Sequence, residues 1–210
     1  MSAAIESLLQ HAQIWRGPSP TRETGNAIAS GFPELDARLP GGGWPRGALT
    51  ELCLSHPAIG ELGLLMPALA HLSHENRWIA LVGTLHIPYA PAWHGNGLDI
   101  ARLLWIEVRS LTDQLWAIEQ SLRAGSCSAV LAWLSAEPDF KQLRRLQLAA
   151  EHGNSWGVLF RSPAAAAQAS PAALRIQLEP AAQGLRLELL KRRGAWGGDS
   201  VQLPRSAAFQ

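Results

Sequence analysis

Lysine and charge are both scarce in this sequence. Its 210 residues include two lysines, Lys141 and Lys191, and charged residues make up 17% of the chain, below the usual quarter. The surface is therefore expected to be poorly charged, which favours a subunit that buries part of it against partners. A site that requires lysine has no candidate before residue 141.

Long apolar runs and a secretory leader are also lacking. No apolar run reaches the roughly 18–20 residues that a membrane-spanning helix needs. The first residues, MSAAIESLLQHAQIW, have no basic region and include Glu6, so we expect no signal peptide, no membrane association and a cytoplasmic protein. The two cysteines, Cys53 and Cys127, fit no metal pattern and are expected to be buried thiols.

The order of apolar segments predicts an α/β protein. Short apolar strands alternate with helical segments between residues 48 and 160, which implies a mostly parallel sheet with helices on both faces. The strands are predicted at 48–54, 77–83, 103–108, 128–134 and 155–160, and the helices at 60–75, 112–125 and 139–153. Further on, LRIQLEP and GLRLELLKRR alternate apolar with polar residues and predict a C-terminal antiparallel hairpin at the sheet edge.

The N-terminal part has a different composition. Residues 3–13 predict a short amphipathic helix, and residues 16–30 are rich in Pro, Gly, Ser and Thr, as linkers are. We therefore divide the chain into an arm with its linker, residues 1–27, and a folded domain, residues 28–205. The arm either folds back on its own core or docks on another subunit. Its candidate partner-binding residues are Ile5, Leu8, Leu9 and Trp15.

The charges are unevenly distributed. Residues 1–140 have a net charge of −5 and residues 141–210 a net charge of +6. The basic part is a candidate surface for nucleic acid or for an acidic protein. Arg144, Arg145, Arg192 and Arg193 are candidates for weak contact with DNA phosphates.

The run SGFPELDARLPGGGWPRGALTEL resembles the segment that leads into the ATPase core of the RecA family. The residues that match in order and spacing are Gly31, Leu35, Asp36, Gly42, Gly43, Pro45, Gly47 and Glu51. The resemblance continues weakly over about residues 28–195. It implies a RecA-like core, in which a phosphate-binding loop follows the first strand.

That loop lacks the chemistry that phosphate binding needs. A phosphate loop uses a lysine to reach the β- and γ-phosphates and a Ser or Thr hydroxyl to hold Mg²⁺. Gly60, Glu61 and Leu62 stand where the family has Gly-Lys-Thr. The family's activating glutamate falls near Leu85, its Walker B acid at Trp133 and its γ-phosphate sensor near Arg161 and Ser162. We therefore expect a pseudo-ATPase that is not an enzyme and binds no cofactor.

The C-terminal LKRRG resembles a basic motif with which RecA-type subunits reach a neighbour's ATP, which makes Lys191, Arg192 and Arg193 candidate partner-binding residues. Together with PGGGWPRG and RWIALVGTLHIPYAPAW, this motif resembles the ImuA family. That resemblance implies an SOS-induced accessory factor of translesion DNA synthesis. Its expected partners are an ImuB-type homologue of Y-family polymerases, RecA and, indirectly, an error-prone C-family polymerase; a second copy of the chain is a further candidate.

Two alternatives remain open. The SulA family, whose members block FtsZ assembly, also resembles a RecA core without a phosphate loop, but lacks the PGGGWPRG and LKRRG segments. A divergent ATPase is the other alternative.

Histidine and tryptophan supply the remaining candidates. His71 and His74 have the i, i+3 spacing of metal ligands but no evident third ligand, so we expect no metal site. Of the nine tryptophans, the following are predicted to lie in the core or partly buried: Trp78, Trp105, Trp116 and Trp133. Trp44, Trp93 and Trp196 lie in turn-like segments and are predicted to be interface residues.

Overall fold

A computed structural model describes residues 27–182, 184–192 and 195–204, with the backbone alone at 195–197. The predicted N-terminal arm lies outside these residues, and so do Arg193 and the side chain of Trp196. Ile5, Leu8, Leu9 and Trp15 of the arm therefore stay predictions, as does the domain boundary at residues 27 and 28.

The described residues alternate between strands and helices. The strands are β1 (Ala27–Ile28), β2 (Trp44–Pro45), β3 (Leu49–Leu54), β4 (Trp78–Val82), β5 (Leu103–Ile106), β6 (Cys127–Trp133), β7 (Trp156–Arg161), β8 (Leu174–Ala181), β9 (Gly184–Arg192) and β10 (Ala195–Pro204). The α-helices are α1 (Pro33–Asp36), α2 (Glu61–Ser73), α3 (Ala90–Gly95), α4 (Leu111–Arg123) and α5 (Phe140–Gly153). Short 3₁₀ helices lie at Pro40–Gly42, Ile100–Arg102 and Pro163–Ala167.

One large sheet organises the domain. Its strand order is β10-β9-β8-β3-β7-β6-β4-β5, and β1 and β2 pair separately. The six strands from β8 to β5 are parallel, whereas β9 and β10 are antiparallel to their neighbours. The predicted mostly parallel α/β sheet and C-terminal antiparallel hairpin are thus confirmed. The hairpin is not the edge, however, because the unpredicted strand β10 pairs outside it.

Helices cover both faces of the sheet, as predicted. On one face α2 buries Leu65 and Leu69 against strands that include β3 and β4. On the other face α4 and α5 bury Ile118, Leu122 and Leu146. The sequences of the parallel strands are largely apolar because helices cover both faces of the sheet.

Local capping fixes the helices that follow β5 and β6. Ser110 precedes α4 and its side chain accepts a hydrogen bond from the Asp113 amide. Asp139 and Gln142 form a capping box at the start of α5. Asn154 ends α5 in the left-handed conformation that favours Asn and Gly.

Two glycines of the GFPELDARLPGGG segment allow the backbone to pack closely against neighbouring residues. A Cβ on Gly43 would come within 2.2 Å of the Ile28 carbonyl oxygen, and one on Gly31 within 2.5 Å of Pro67 in α2. Asp36 accepts a hydrogen bond from the Ser30 amide at 3.0 Å. These residues therefore bring β1 against β2 and seat the segment on α2.

The tryptophan predictions are largely wrong. Trp44 is fully buried and stacks on Trp156 at a centroid distance of 5.4 Å, and Trp93 is buried as well. Trp116 is 64% exposed, and Trp78 and Trp105 are also exposed. Apolar surroundings in the sequence do not distinguish an edge strand such as β5, or the outer face of α4, from the core.

A buried ion-pair cluster links the centre of the sheet to the loop after β7. Glu51 on β3 is fully buried and accepts hydrogen bonds from Arg161 on β7 at 2.8 Å and Arg175 on β8 at 2.7 Å. Arg175 also donates to the carbonyl oxygens of Ala165 and Gln168, at 2.6 and 2.9 Å. The alanine-rich segment after β7, which contains the 3₁₀ helix Pro163–Ala167, is thus held next to β3 by charge-assisted hydrogen bonds.

The thiol beside this cluster is buried, as predicted. Burial raises the pKa of Cys53 to about 11, and the nearby Glu51 carboxylate adds to the rise. Burial also raises the pKa of Cys127. Both thiols are therefore protonated at neutral pH and poorly reactive.

We predict that Glu51→Gln destabilises the protein by about 3 kcal/mol or more, since removing one partner of a buried pair leaves an uncompensated charge. Urea unfolding followed by tryptophan fluorescence measures the change. Glu107→Gln is the control, because the Glu107–Arg109 pair is exposed and is expected to change stability by less than about 0.5 kcal/mol. Equal unfolding midpoints for the two variants would contradict the prediction.

Candidate functional site

The carboxyl ends of β3, β4 and β6 open on an apolar groove of about 540 Å³. Open α/β sheets commonly bind ligands outside the carboxyl ends of their strands. One wall is the β3–α2 loop with the start of α2, and another is the loop that follows β4. The C-terminal strands close the groove through Leu185, Leu203 and Pro204.

The groove wall contains the loop that resembles a phosphate loop. Gly60 precedes α2 with a φ of 110°, a left-handed conformation that favours glycine. The Glu61 carboxylate accepts hydrogen bonds from the backbone amides of Ala58 and Gly60, both at 3.1 Å. Backbone amides at a helix N-terminus are the groups that hold phosphate in nucleotide-binding loops. Here the protein's own carboxylate is the anion that they bind.

The other positions of the resemblance are brought to the same edge of the sheet. Gly60, Glu61, Leu62, Leu85 and Trp133 all line the groove. The residues at these positions of the resemblance are thus neighbours in the structure.

Arg161 and Ser162, at the end of β7, are held by acidic partners. Arg161 is buried and donates to Glu51 and to Glu137, the latter at 2.9 Å from Nε. Ser162 donates its hydroxyl to Glu137 at 2.6 Å. Burial of Glu137 raises its carboxyl pKa, but the hydrogen bonds from Ser162 and Arg161 outweigh burial, so the pKa lies below its usual value.

The lining of the groove is apolar and partly exposed. Within the part of the chain that the structure describes, no lysine or arginine lines it. Ile87 is 77% exposed and Leu85 and Tyr89 are also exposed. Three large apolar side chains within five residues form an apolar patch of the kind that marks a binding surface.

The C-terminal basic residues make contacts within the chain. Lys191 donates to the Ser170 carbonyl oxygen at 2.8 Å, and burial lowers its pKa. Arg192 donates to the Arg38 carbonyl oxygen at 3.0 Å and pairs with Asp199 at 2.9 Å. Their role in binding a partner, like that of Arg193, stays a prediction.

Two residues that the sequence analysis missed hold the segment that follows β6. Gln114 on α4 donates to the Trp133 carbonyl oxygen at 3.2 Å and accepts from the Ser135 amide at 2.8 Å. Glu137 joins the loop after β6 to the end of β7 through Arg161 and Ser162. No local motif marks either residue, because each acts across elements that are distant in sequence.

A membrane-spanning helix and a metal site are both absent from the described residues. No helix there is long and apolar enough to cross a membrane. Nor does that part of the chain bring together three His, Cys, Asp or Glu side chains that could hold a metal ion.

The fold and the groove define a mixed α/β protein whose phosphate-loop-like turn is occupied by its own glutamate. The family model described as cell division inhibitor SulA matches residues 47–157, just over half of the chain. The chain therefore belongs to the SulA family.

Some individual relatives are named SulA and another is named ImuA. The chain is 30% identical over 122 residues to cell division inhibitor SulA of Serratia proteamaculans (strain 568), which covers 57% of this chain and 70% of the relative. It is 32% identical over 124 residues to SulA of Serratia marcescens, with the same coverage of 57% and 70%. It is also 30% identical over 152 residues to protein ImuA of Caulobacter vibrioides (strain NA1000 / CB15N), which covers 68% of this chain and 61% of the relative.

A solved structure is also similar. The crystal structure of SulA from Pseudomonas aeruginosa matches with a TM-score of 0.44 and 24% identity, covering 54% of this chain and 97% of that chain.

We predict that Glu61→Ala destabilises the protein by about 1 kcal/mol, because the backbone amides of Ala58 and Gly60 in the loop before α2 lose their anionic acceptor. Urea unfolding measures the change. Glu34→Ala, which removes an exposed carboxylate from the first turn of α1, is the control and is expected to change stability by less than about 0.5 kcal/mol. A Glu61→Ala variant as stable as the control would show that the carboxylate does not hold the loop.

Proposed function

We propose that this chain is a non-catalytic, protein-binding member of the SulA family that acts in the cytoplasmic response to DNA damage through a RecA-like core. The observation that carries the proposal is the Glu61 carboxylate on the amides of Ala58 and Gly60. It supports a domain whose loop resembles a phosphate-binding loop but lacks the lysine and the hydroxyl that bind a nucleotide and Mg²⁺.

Electrostatics argues against a nucleoside triphosphate in the groove. A bound triphosphate needs a lysine or arginine for its charge and a hydroxyl for Mg²⁺. The loop offers Glu61 and Leu62 instead, and within the described residues the groove is lined by neither lysine nor arginine. A phosphate would also have to displace a carboxylate that is already bound and buried.

The groove suits an apolar segment of a partner protein. Leu85, Ile87 and Tyr89 are exposed along one rim, and deeper aromatic side chains include Phe32 and Trp93. Large apolar and aromatic residues around a concave site supply most of the free energy of protein recognition. We therefore assign the partner contact to this groove.

For the particular role, we propose an ImuA-type accessory factor of translesion DNA synthesis. Its partners are an ImuB-type polymerase homologue and RecA, with an error-prone C-family polymerase contacted indirectly. Two observations support this role. The similarity to ImuA extends over 152 residues, against 122 for SulA of Serratia proteamaculans. The PGGGWPRG segment, which favours ImuA, forms β2 and its turn, and of the LKRRG segment the described residues 190–192 lie in β9.

The second candidate role is a SulA-type inhibitor of FtsZ assembly. The family model over residues 47–157 and the SulA relatives of Serratia support it. Residues 47–157 include β3, α2 and the loop after β4, so the matched segment contributes to the wall of the groove.

We predict that Ile87→Asp weakens binding of the true partner at least tenfold, since it places a charge on the apolar rim; a tenfold loss corresponds to about 1.4 kcal/mol. Purified ImuB, RecA and FtsZ of the same host serve as separate baits, and affinity is measured by biolayer interferometry. Ile100→Asp is the matched control, because Ile100 is exposed but does not line the groove.

The outcomes separate the candidates. Binding of ImuB or RecA that Ile87→Asp weakens and Ile100→Asp does not supports the ImuA-type role. Binding of FtsZ alone with the same dependence supports the SulA-type role and overturns the ImuA-type one. Binding of none of the three, or equal effects of the two variants, overturns the assignment of the groove.

A further inference from the structure

The large sheet ends at β5. Among the described residues β4 is the strand that pairs with it, and the other edge of β5 is unpaired. The strand reads LLWI and lacks the charged residues and proline with which proteins protect an open edge. Leu104 and Trp105 are 41% and 45% exposed, and Trp78 at the start of β4 is also exposed. This edge is therefore apolar and, in the described part of the chain, uncovered.

The pairing with β4 determines which backbone groups of this edge are free. The Ile106 carbonyl oxygen accepts a hydrogen bond from the Gly83 amide at 3.2 Å, so it points toward β4. The Glu107 N–H lies on the opposite side of the same trans peptide plane and points away from β4. Because backbone groups alternate in direction along a strand, the N–H and carbonyl of Trp105 and the carbonyl of Leu103 also point away.

A two-fold axis through Trp105 matches these free groups with one another. Antiparallel pairing of two β5 strands about this axis places Trp105 opposite Trp105 of the second copy and Leu103 opposite Glu107. Each Trp105 N–H then faces the Trp105 carbonyl oxygen of the other copy, and each Glu107 N–H faces a Leu103 carbonyl oxygen. The Leu103 N–H needs no acceptor there, because it already donates to the Ile100 carbonyl oxygen. The edge is thus complementary to itself.

The side chains fit the same register. Leu104 lies opposite Ile106 of the second copy, on the face where Ile106 packs beside α4. Residues opposite each other in such a pair have Cα atoms about 4.5 Å apart, close enough for apolar contact. The two Trp105 side chains meet on the other face. Glu107 and Arg102 each lie opposite an apolar residue, so the register brings no like charges together.

We propose that this chain forms a two-fold dimer in which the β5 edges of two copies pair antiparallel and join their large sheets into one. Pairing supplies partners for the free backbone groups and covers the exposed Leu104 and Trp105. It also gives the isologous interface that is commonest among homodimers. The inference is independent of the proposed function, because none of Leu103–Ile106 lines the groove.

The oligomeric state of the full chain tests the proposal. Size-exclusion chromatography with light scattering, over a range of protein concentrations, measures the dissociation constant of the dimer. Leu104→Glu places a charge at the centre of the paired edge. Leu148→Glu is the matched control, because Leu148 is 44% exposed on α5, outside the edge. We expect the dissociation constant to rise about tenfold or more in Leu104→Glu and to be unchanged in Leu148→Glu.

Oxidative cross-linking tests the register. In the proposed dimer a Trp105→Cys variant brings its two new thiols opposite each other, whereas the native Cys53 and Cys127 are buried. Trp116→Cys is the control, because Trp116 is 64% exposed on α4, away from the edge. Non-reducing electrophoresis measures the disulfide between chains. We expect it to form about tenfold faster or more in Trp105→Cys than in Trp116→Cys.

Three results would overturn the proposal. The first is a full chain that stays monomeric at high micromolar concentration. The second is a dimer that Leu104→Glu and Leu148→Glu weaken equally, which would assign the interface to another surface. The third is an equal rate of cross-linking in the two cysteine variants. All three leave partner binding at the groove unaffected, because Ile87→Asp tests that contact separately.

Discussion

The buried carboxylate of Glu51 is the constraint on which the sheet depends. β3 lies between β7 and β8, within the parallel part of the sheet. A charge buried there is tolerated only when it is paired and hydrogen-bonded. Arg161 and Arg175 supply that pairing from the two neighbouring strands, and Arg175 also binds the alanine-rich segment. The cluster therefore ties β3 to both of its neighbouring strands and to the segment that covers them.

The second constraint acts at the carboxyl ends of the parallel strands. There a carboxylate of the protein itself binds the backbone amides of the loop before α2. A turn that leaves amides free at a helix N-terminus attracts an anion, and Glu61 provides one within the sequence. The loop after β4 and the end of β6 border a groove that is lined mainly by apolar side chains and, within the described residues, by no lysine or arginine. Under the proposed function, this apolar edge is the surface that binds a segment of a partner protein.

The sequence predicted the fold well because the βα alternation and the apolar strands are local signals. β3 to β7 lie within a few residues of the predicted strands. Gly60, Leu85 and Trp133 meet at one edge because parallel strands share a carboxyl end, which the sequence analysis did not state. The tryptophan exposures, the Glu51 cluster and the role of Gln114 did not follow, because edge position and contacts between distant residues leave no local pattern. β10 was missed because AWGGDSVQLP contains two glycines and no regular alternation.

We propose that the turn before α2 holds its own carboxylate and binds no nucleotide. Titration of the purified protein with a fluorescent ATP analogue and Mg²⁺, together with an assay of phosphate release, tests it most directly. We expect no saturable binding of the ATP analogue up to millimolar concentration and no release of phosphate. Saturable binding with turnover that disappears in a Glu61→Ala variant would contradict it, because the turn would then be a working nucleotide site.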